Sequence, residues 1–278
     1  YSTGYFGGGT DQTPALYALS FGLPGIKKTG TWGAQWLKTN ASRLVEPYIF
    51  HFPDGNASVA RLLVRSLIPE FGSARAPSDV LLKHFNYDLL DNRNHAVRIR
   101  LQSTAVRVSN IDSGVEVFYR TAGQTHRVSG KKSILACYNT MVPFLCPDLP
   151  RGQRAALSEL VKIPLVYTNV VLRNWRALKK AHAGFVYTPS AFHSYFMLDF
   201  PVSFPGYHFS ESPDDPVVLH FSEALIEPGL PPKAQSRAGR GRLLATPFAT
   251  IERDIRQTLA GTLGEYDFDP GRDIAAIT

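Results

Sequence analysis

Between Pro47 and Pro69 a strand, a tight turn and an amphipathic helix follow one another without a break, in PYIFHFPDGNASVARLLVRSLIP. This stretch restricts the fold of the chain more than any other. Tyr48, Ile49, Phe50 and Phe52 are strand formers. Pro53-Asp54-Gly55 is turn chemistry, because proline sets its own φ and glycine accepts backbone angles that other residues resist. Asn56 is placed to cap the helix with its side-chain oxygen. Val59, Leu62, Leu63 and Leu67 fall on one helical face, Arg61 and Arg65 lie one turn apart on another, and Pro69 marks the stop. Burying the four apolar side chains is worth roughly 1.5–3 kcal/mol each. That is enough to dock the helix on a sheet, and it leaves the turn at residues 54–56 on the surface.

The 278 residues are 44% hydrophobic and 19% charged, which supports a real core in one large domain or two small ones. No apolar run approaches the ~20 residues a membrane span requires. The net charge is +7, but the Lys and Arg are spread along the chain, which argues against a nucleic-acid partner. Eight histidines are scattered without HExxH or CxxC…HxxxH spacing, so no zinc site is expected, and there is no GxSxG elbow for a hydrolase triad. Cys137 and Cys146 could pair, but two cysteines in a chain this long make no disulfide framework, and free, buried thiols are the favoured reading. The chain opens at Tyr1 and closes on the strand-like Ile274-Ala-Ala-Ile-Thr278. Both ends are therefore expected to be truncated, with any targeting segment outside the sequence.

Gly7-Gly8-Gly9 lacks GxGxxG spacing and a preceding strand, so it reads as a loop. Thr13 and Pro14 open a helix, and Trp32 and Trp36 suit either a short helix or a covering loop. From Ala96 to Pro150 the period becomes two. Val97, Ile99 and Leu101 alternate, as do Val106 and Val108, then Val115, Val117 and Tyr119, then His126 and Val128, with turns at Asp112-Ser113-Gly114 and Ala122-Gly123-Gln124. This is a β-meander. It leads into Ser133-Ile134-Leu135-Ala136-Cys137, expected as a strand buried on both faces. Beyond it, a helix is expected over 154–161 with Ala155, Leu157 and Leu160 inside. Strands are expected over 165–172, 184–188, 193–200 and 217–221. Residues 228–242 read as a solvated loop, including Arg237, Arg240 and Arg242. A helix capped by Thr246 and begun by Pro247 should bury Phe248, Ile251, Ile255 and Leu259 and end at Gly264. Asp267-x-Asp269-x-Gly271-x-Asp273 has a faint likeness to a calcium loop, but Pro270 and the missing terminal Glu make it a turn.

The Gly55 turn and its helix, the meander, Ile134-Leu135-Ala136 and then Phe144-x-x-Pro147-x-Leu149-Pro150 together resemble the middle of the flavin-containing amine oxidase family. The 47–69 block is closest to the bacterial spermidine dehydrogenase-like branch. The resemblance runs from about Ala15 to the end, and it implies an α/β plus α+β fold. A partial FAD-binding domain of the two-dinucleotide-fold type, carrying the β-meander, would be interleaved with a mixed-sheet substrate domain. The implied division is residues 1–52 for the start of the substrate domain, 53–150 for the FAD-domain part and 151–278 for the rest of the substrate domain. The family's GxGxxG unit has no match here, and its C-terminal FAD segment would lie beyond Thr278. The resemblance implies a middle fragment that binds FAD poorly alone. Residues implied at the cofactor are Asp54 and Gly55, Ala105 through its backbone, and Ile134, Leu135 and Ala136. Tyr48 and His51 match positions at the edge of the substrate cavity. The lysine that many relatives place near the flavin is absent. Its position falls around Leu165 to Tyr167, and the only cation in that strand region is Arg173.

An amine oxidase of this kind must deprotonate its substrate. An alkylamine with a pKa of about 10.4 lies ~3.4 units above pH 7, or roughly 4–5 kcal/mol, and an apolar aromatic pocket lowers that pKa. Tyr48, Phe50, Phe52, Tyr167, Tyr187, Tyr195 and Phe196 are candidates to line the pocket, and Glu46 and Asp54 are candidates for the distal cation of a polyamine. The partner expected is a small-molecule amine. The electron acceptor stays open, and the compartment is periplasmic or cytoplasmic in bacteria. Two alternatives remain: another flavoprotein oxidase or desaturase of the same architecture, and a non-catalytic basic binding module.

Overall fold

The computed structural model describes residues 3, 7–15, 51–73, 79 and 81–278. The chain divides into two compact units, Asp54–Val161 and Tyr1–Pro53 with Lys162–Thr278. Both combine helices with antiparallel sheet. Among the described residues, no helix is long and apolar enough to cross a membrane. The segments around Trp32 and Trp36 and the strand residues 48–50 lie outside the described residues.

The unit Asp54–Val161 opens with the expected turn and helix α1 (Ala57–Leu67). Gly55 has a φ of +65°, which explains the glycine. Asn56 makes no side-chain cap. Asp54 holds the helix start instead, accepting from the Ser58 hydroxyl and pairing with Arg61. The expected buried face is displaced. Val59, Leu63 and Leu67 are exposed, whereas Ile68, Phe71 and Leu90 form a small core with Val64, Phe85 and Ile99 packed on it. The Ile68 N–H closes onto the Val64 carbonyl at 2.8 Å, so the chain turns one residue past the helix and the stripe through Val64 and Ile68 faces inward.

The meander forms as read, from β1 (Thr104–Ile111), β2 (Gly114–Thr121) and β3 (Gln124–Gly130), all antiparallel. Two expectations around it fail. Val97, Ile99 and Leu101 are not in a strand, because the Ile99 N–H folds back onto the Leu90 carbonyl at 2.7 Å. Ser133–Cys137 forms no strand either, and Ile134 is 92% exposed. A strand buried on both faces needs a ladder partner, and among the described residues none pairs with this segment. α2 (Val142–Leu145) and α3 (Arg151–Ser158) follow, joined by the Arg154 guanidinium, which donates to the Pro143, Cys146 and Pro147 carbonyls at 2.6–3.1 Å. α3 starts three residues earlier than expected, just after Pro150, and leaves Ala155 and Leu160 exposed. Cys137 is exposed and Cys146 half-buried, both as free thiols, so the expected burial fails for Cys137.

In the other unit, β4 (Leu165–Leu172), α4 (Arg176–Ala181), β5 (Phe185–Tyr187), β6 (Tyr195–Leu198) and β7 (Val217–Ala224) come first. Then follow α5 (Pro232–Ala245), α6 (Phe248–Leu263), α7 (Pro270–Asp273) and β8 (Ile274–Ile277). The strands form one antiparallel sheet in the order β5-β6-β7-β4-β8. One sheet face, with Val170, Leu172, Phe196, Leu219 and Phe221, packs on Ile251, Ile255, Leu259 and Leu263 of α6. The expected loop at 228–242 is instead mostly helix α5. Pro231 and Pro232 sit at its N-cap and first turn, where no amide donor is required. Buried Gln235 ties α5 down through 2.7 Å bonds from its amide to the Leu230 carbonyl and the Asp11 carboxylate. The Thr246 hydroxyl bonds the Arg242 carbonyl at 2.8 Å and so closes α5 rather than capping α6. Phe248, expected inside, is exposed, and Gly264 ends α6 as expected. The chain turns at Asp267 and passes into α7, with Asp269 capping α7 at the Arg272 N–H and Arg272 paired with Asp267 and Asp273.

Candidate substrate-binding face

Strand register assembles the site. Directly opposed residues share a sheet face. Tyr187 on β5 opposes Tyr195 on β6, Tyr195 opposes Ser222 on β7, and Ser222 opposes Tyr167 on β4. A single row therefore crosses four strands on the face opposite the α6 core. Two residues along each strand, on the same face, a second row runs Phe185, Met197, His220, Asn169. Phe185 stacks on Tyr195 with ring centroids 5.0 Å apart and meets the Tyr187 ring edge-on at 4.9 Å. Tyr195 is 8% exposed and Tyr167 61%, so the row grades from covered to open.

A polar chain lies within the second row. His220 Nδ1 is 2.7 Å from Asn169 Oδ1, and His220 Nε2 is 2.9 Å from Asp199 Oδ1. Burial acts to raise the Asp199 pKa, but the His220 hydrogen bond and charge, the Phe200 amide and His51 together hold it below the ordinary carboxylate value. His51 sits near this carboxylate, its ring 6.1 Å from Phe200 in an edge contact. The result is an aromatic surface with one ionised, hydrogen-bonded carboxylate beside it. Such a surface favours a cation whose alkyl part lies on the rings.

Of the residues expected at the substrate, the sheet brings Tyr167, Tyr187 and Tyr195 together. Phe196 lies on the opposite face, stacked on Phe221 in the core at 5.0 Å. Phe52 packs on Phe204 at 5.3 Å. Glu46, Tyr48 and Phe50 lie outside the described residues. Asn169, His220 and Asp199 were not legible in the sequence as a group. The spacing Tyr167-x-Asn169 beside His220-x-Ser222 contains the signal, but only the β4–β7 register pairs the two.

The residues expected at the cofactor all fall in the unit Asp54–Val161 but share no described cavity. Asp54 is engaged by Ser58 and Arg61, and the Gly55 turn has open space around it rather than a cradle that a side chain would fill. Ala105 is exposed beside a β-bulge, and Ile134 and Ala136 are exposed. Leu135 lines a hollow of about 290 Å³ with Val108, Cys146 and Leu149. The described residues thus do not by themselves form a flavin pocket.

No protein-family model matches the chain, and no curated protein is similar to it. Among solved structures, it is similar to a wild-type putrescine oxidase bound to putrescine, at 15% identity with a TM-score of 0.43 over 63% of this chain and 33% of that one. It is also similar to the cyclohexylamine oxidase from Brevibacterium oxydans IH-35A, at 14% identity and a TM-score of 0.38 over 63% and 32% of the two chains. A third is a CLA-producing fatty acid isomerase from P. acnes, at 9% identity and a TM-score of 0.34 over 66% and 36%. The chain spans about a third of the length of these structures.

Proposed function

We propose that this chain is the middle part of an FAD-dependent amine oxidoreductase, of the spermidine dehydrogenase-like branch, that oxidises a C–N bond of a polyamine or other amine to an imine. The flavin's role is to accept the hydride. The residues of the aromatic row and the Asp199–His220 pair would act on the amine. The reading is supported by the sequence resemblance. The single observation that carries it is the row of Tyr187, Tyr195 and Tyr167 with Phe185, set beside the Asp199–His220 pair on one sheet face. An alkylammonium on this face gains cation–π contacts of about 0.5–2 kcal/mol each. As water leaves, its neutral form becomes easier to reach, in the direction needed to offset the roughly 4–5 kcal/mol deprotonation gap at pH 7. Asp199 is placed to hold a second ammonium of a diamine.

The test is anaerobic mixing of the protein, expressed from its complete reading frame, with mono-, di- and polyamines. Flavin absorption should bleach with at least one of them. Tyr167→Ala, at an exposed position, should raise the KM for that amine several-fold with flavin content unchanged. A flavin that no amine reduces, or a complete protein that purifies without flavin, would overturn the proposal.

A further inference from the structure

On the other side of the same sheet, a cavity of about 620 Å³ opens between the ends of β5, β6 and β7 and the helices α5 and α6. Pockets for small organic ligands span about 300–1,000 Å³. Two opposite charges line it: Glu223 from β7 and Arg242 from α5. The Glu223 carboxylate accepts from the Ser194 hydroxyl, and burial raises its pKa against the opposing effects of the Ser194 backbone and the Arg242 charge. The described contacts of Arg242 are long, 3.5 Å to the Ile226 carbonyl and 3.6 Å to Glu227, so a guanidinium with five N–H donors has capacity left. Phe192 supplies aromatic surface, Leu225 an aliphatic one and Thr250 a hydroxyl.

We infer that this cavity binds a small amino-carboxylate zwitterion, with the ligand's ammonium on Glu223, its carboxylate on Arg242 and an apolar side chain against Phe192 and Leu225. A ligand with only one charge engages one of the two groups and gains nothing from the other. That selects for the zwitterion over either half. Binding here needs no flavin and does not depend on the function proposed for the opposite face.

The experiment is calorimetric titration of the full chain with L-phenylalanine, phenethylamine and hydrocinnamate. The zwitterion should bind at least about tenfold more tightly than either half. Glu223→Gln and Arg242→Gln, each checked for wild-type circular dichroism, should each weaken L-phenylalanine by a similar factor. The inference is overturned if L-phenylalanine does not bind, if a half-ligand matches it, or if both folded variants retain wild-type affinity. The comparison of the three ligands uses the wild-type chain, so it decides the matter even where a variant fails to fold.

Discussion

Helix α5 rests on a glycine. Gly239 is buried, and a Cβ added there would fall inside the van der Waals shell of the Leu225 carbonyl oxygen and 2.9 Å from the Ile226 nitrogen. Both obstacles are backbone and cannot rotate aside. Two residues on, a Cβ at Gly241 meets nothing within 4 Å. In an ordinary helix interior either glycine replaced by alanine would gain about 1 kcal/mol. Gly241→Ala should show that gain. Gly239→Ala should reverse it, because the helix must back away from Leu225 and stretch the two 2.7 Å bonds from the Gln235 amide. Overpacking costs typically about 1–3 kcal/mol, and the lost bonds add about 0.5–1.5 kcal/mol each. After the propensity gain, a net loss of about 2 kcal/mol is expected. The two variants should therefore differ by about 3 kcal/mol, or roughly 6–12 °C in Tm for a domain of this size. Urea and thermal unfolding followed by circular dichroism measure both. A Gly239→Ala protein as stable as wild type would refute the close approach of α5 to residues 225–226, and with it the placement of Arg242 in the cavity.

Two further expectations concern pH. The Asp273 carboxyl is drawn down to about 2, chiefly by the Arg272 hydrogen bond and against the effect of burial. Its folded pKa lies below the unfolded one, so its contribution is complete above about pH 4 and is lost as pH falls through about 2. The linkage is worth on the order of 2 kcal/mol, and Asp273→Asn should flatten the urea-stability profile in that window. A profile unchanged by the substitution would count against the pairing. Burial pushes the His193 imidazole down to about 4. Stability should then fall between about pH 6.5 and about 4, as the unfolded chain takes up the proton first, by on the order of 3 kcal/mol. His193→Gln should remove this slope while lowering stability at neutral pH. Persistence of the slope would assign it to another group.

Local pattern was informative wherever one face of an element had to be buried. β4 and the α6 stripe Ile251, Ile255, Leu259 are written in periods of two and of three to four, because alternation and helical repeat decide which side chains leave water. The meander strands were legible from their alternation and tight turns, although most of their side chains stay at least partly exposed. The turn at Gly55 and the stop at Gly264 are equally local, since they depend on the backbone freedom of single residues. The tertiary structure alone decided what required distant segments to meet. Residues 232–245 are low in hydrophobic signal and rich in glycine and arginine, yet they are helical because Gln235 and Gly239 find partners at Asp11, Leu230 and Leu225. The exposed side of α1 followed from where Ile68 turned the chain, one residue past the helix. The aromatic row and the Asn169–His220–Asp199 chain exist through the register of β4, β5, β6 and β7, which brings together residues as distant as Asn169 and His220, 51 apart in the chain. A strand's sequence specifies which residues share its face but not which strand lies beside it, and the site is made of those neighbours.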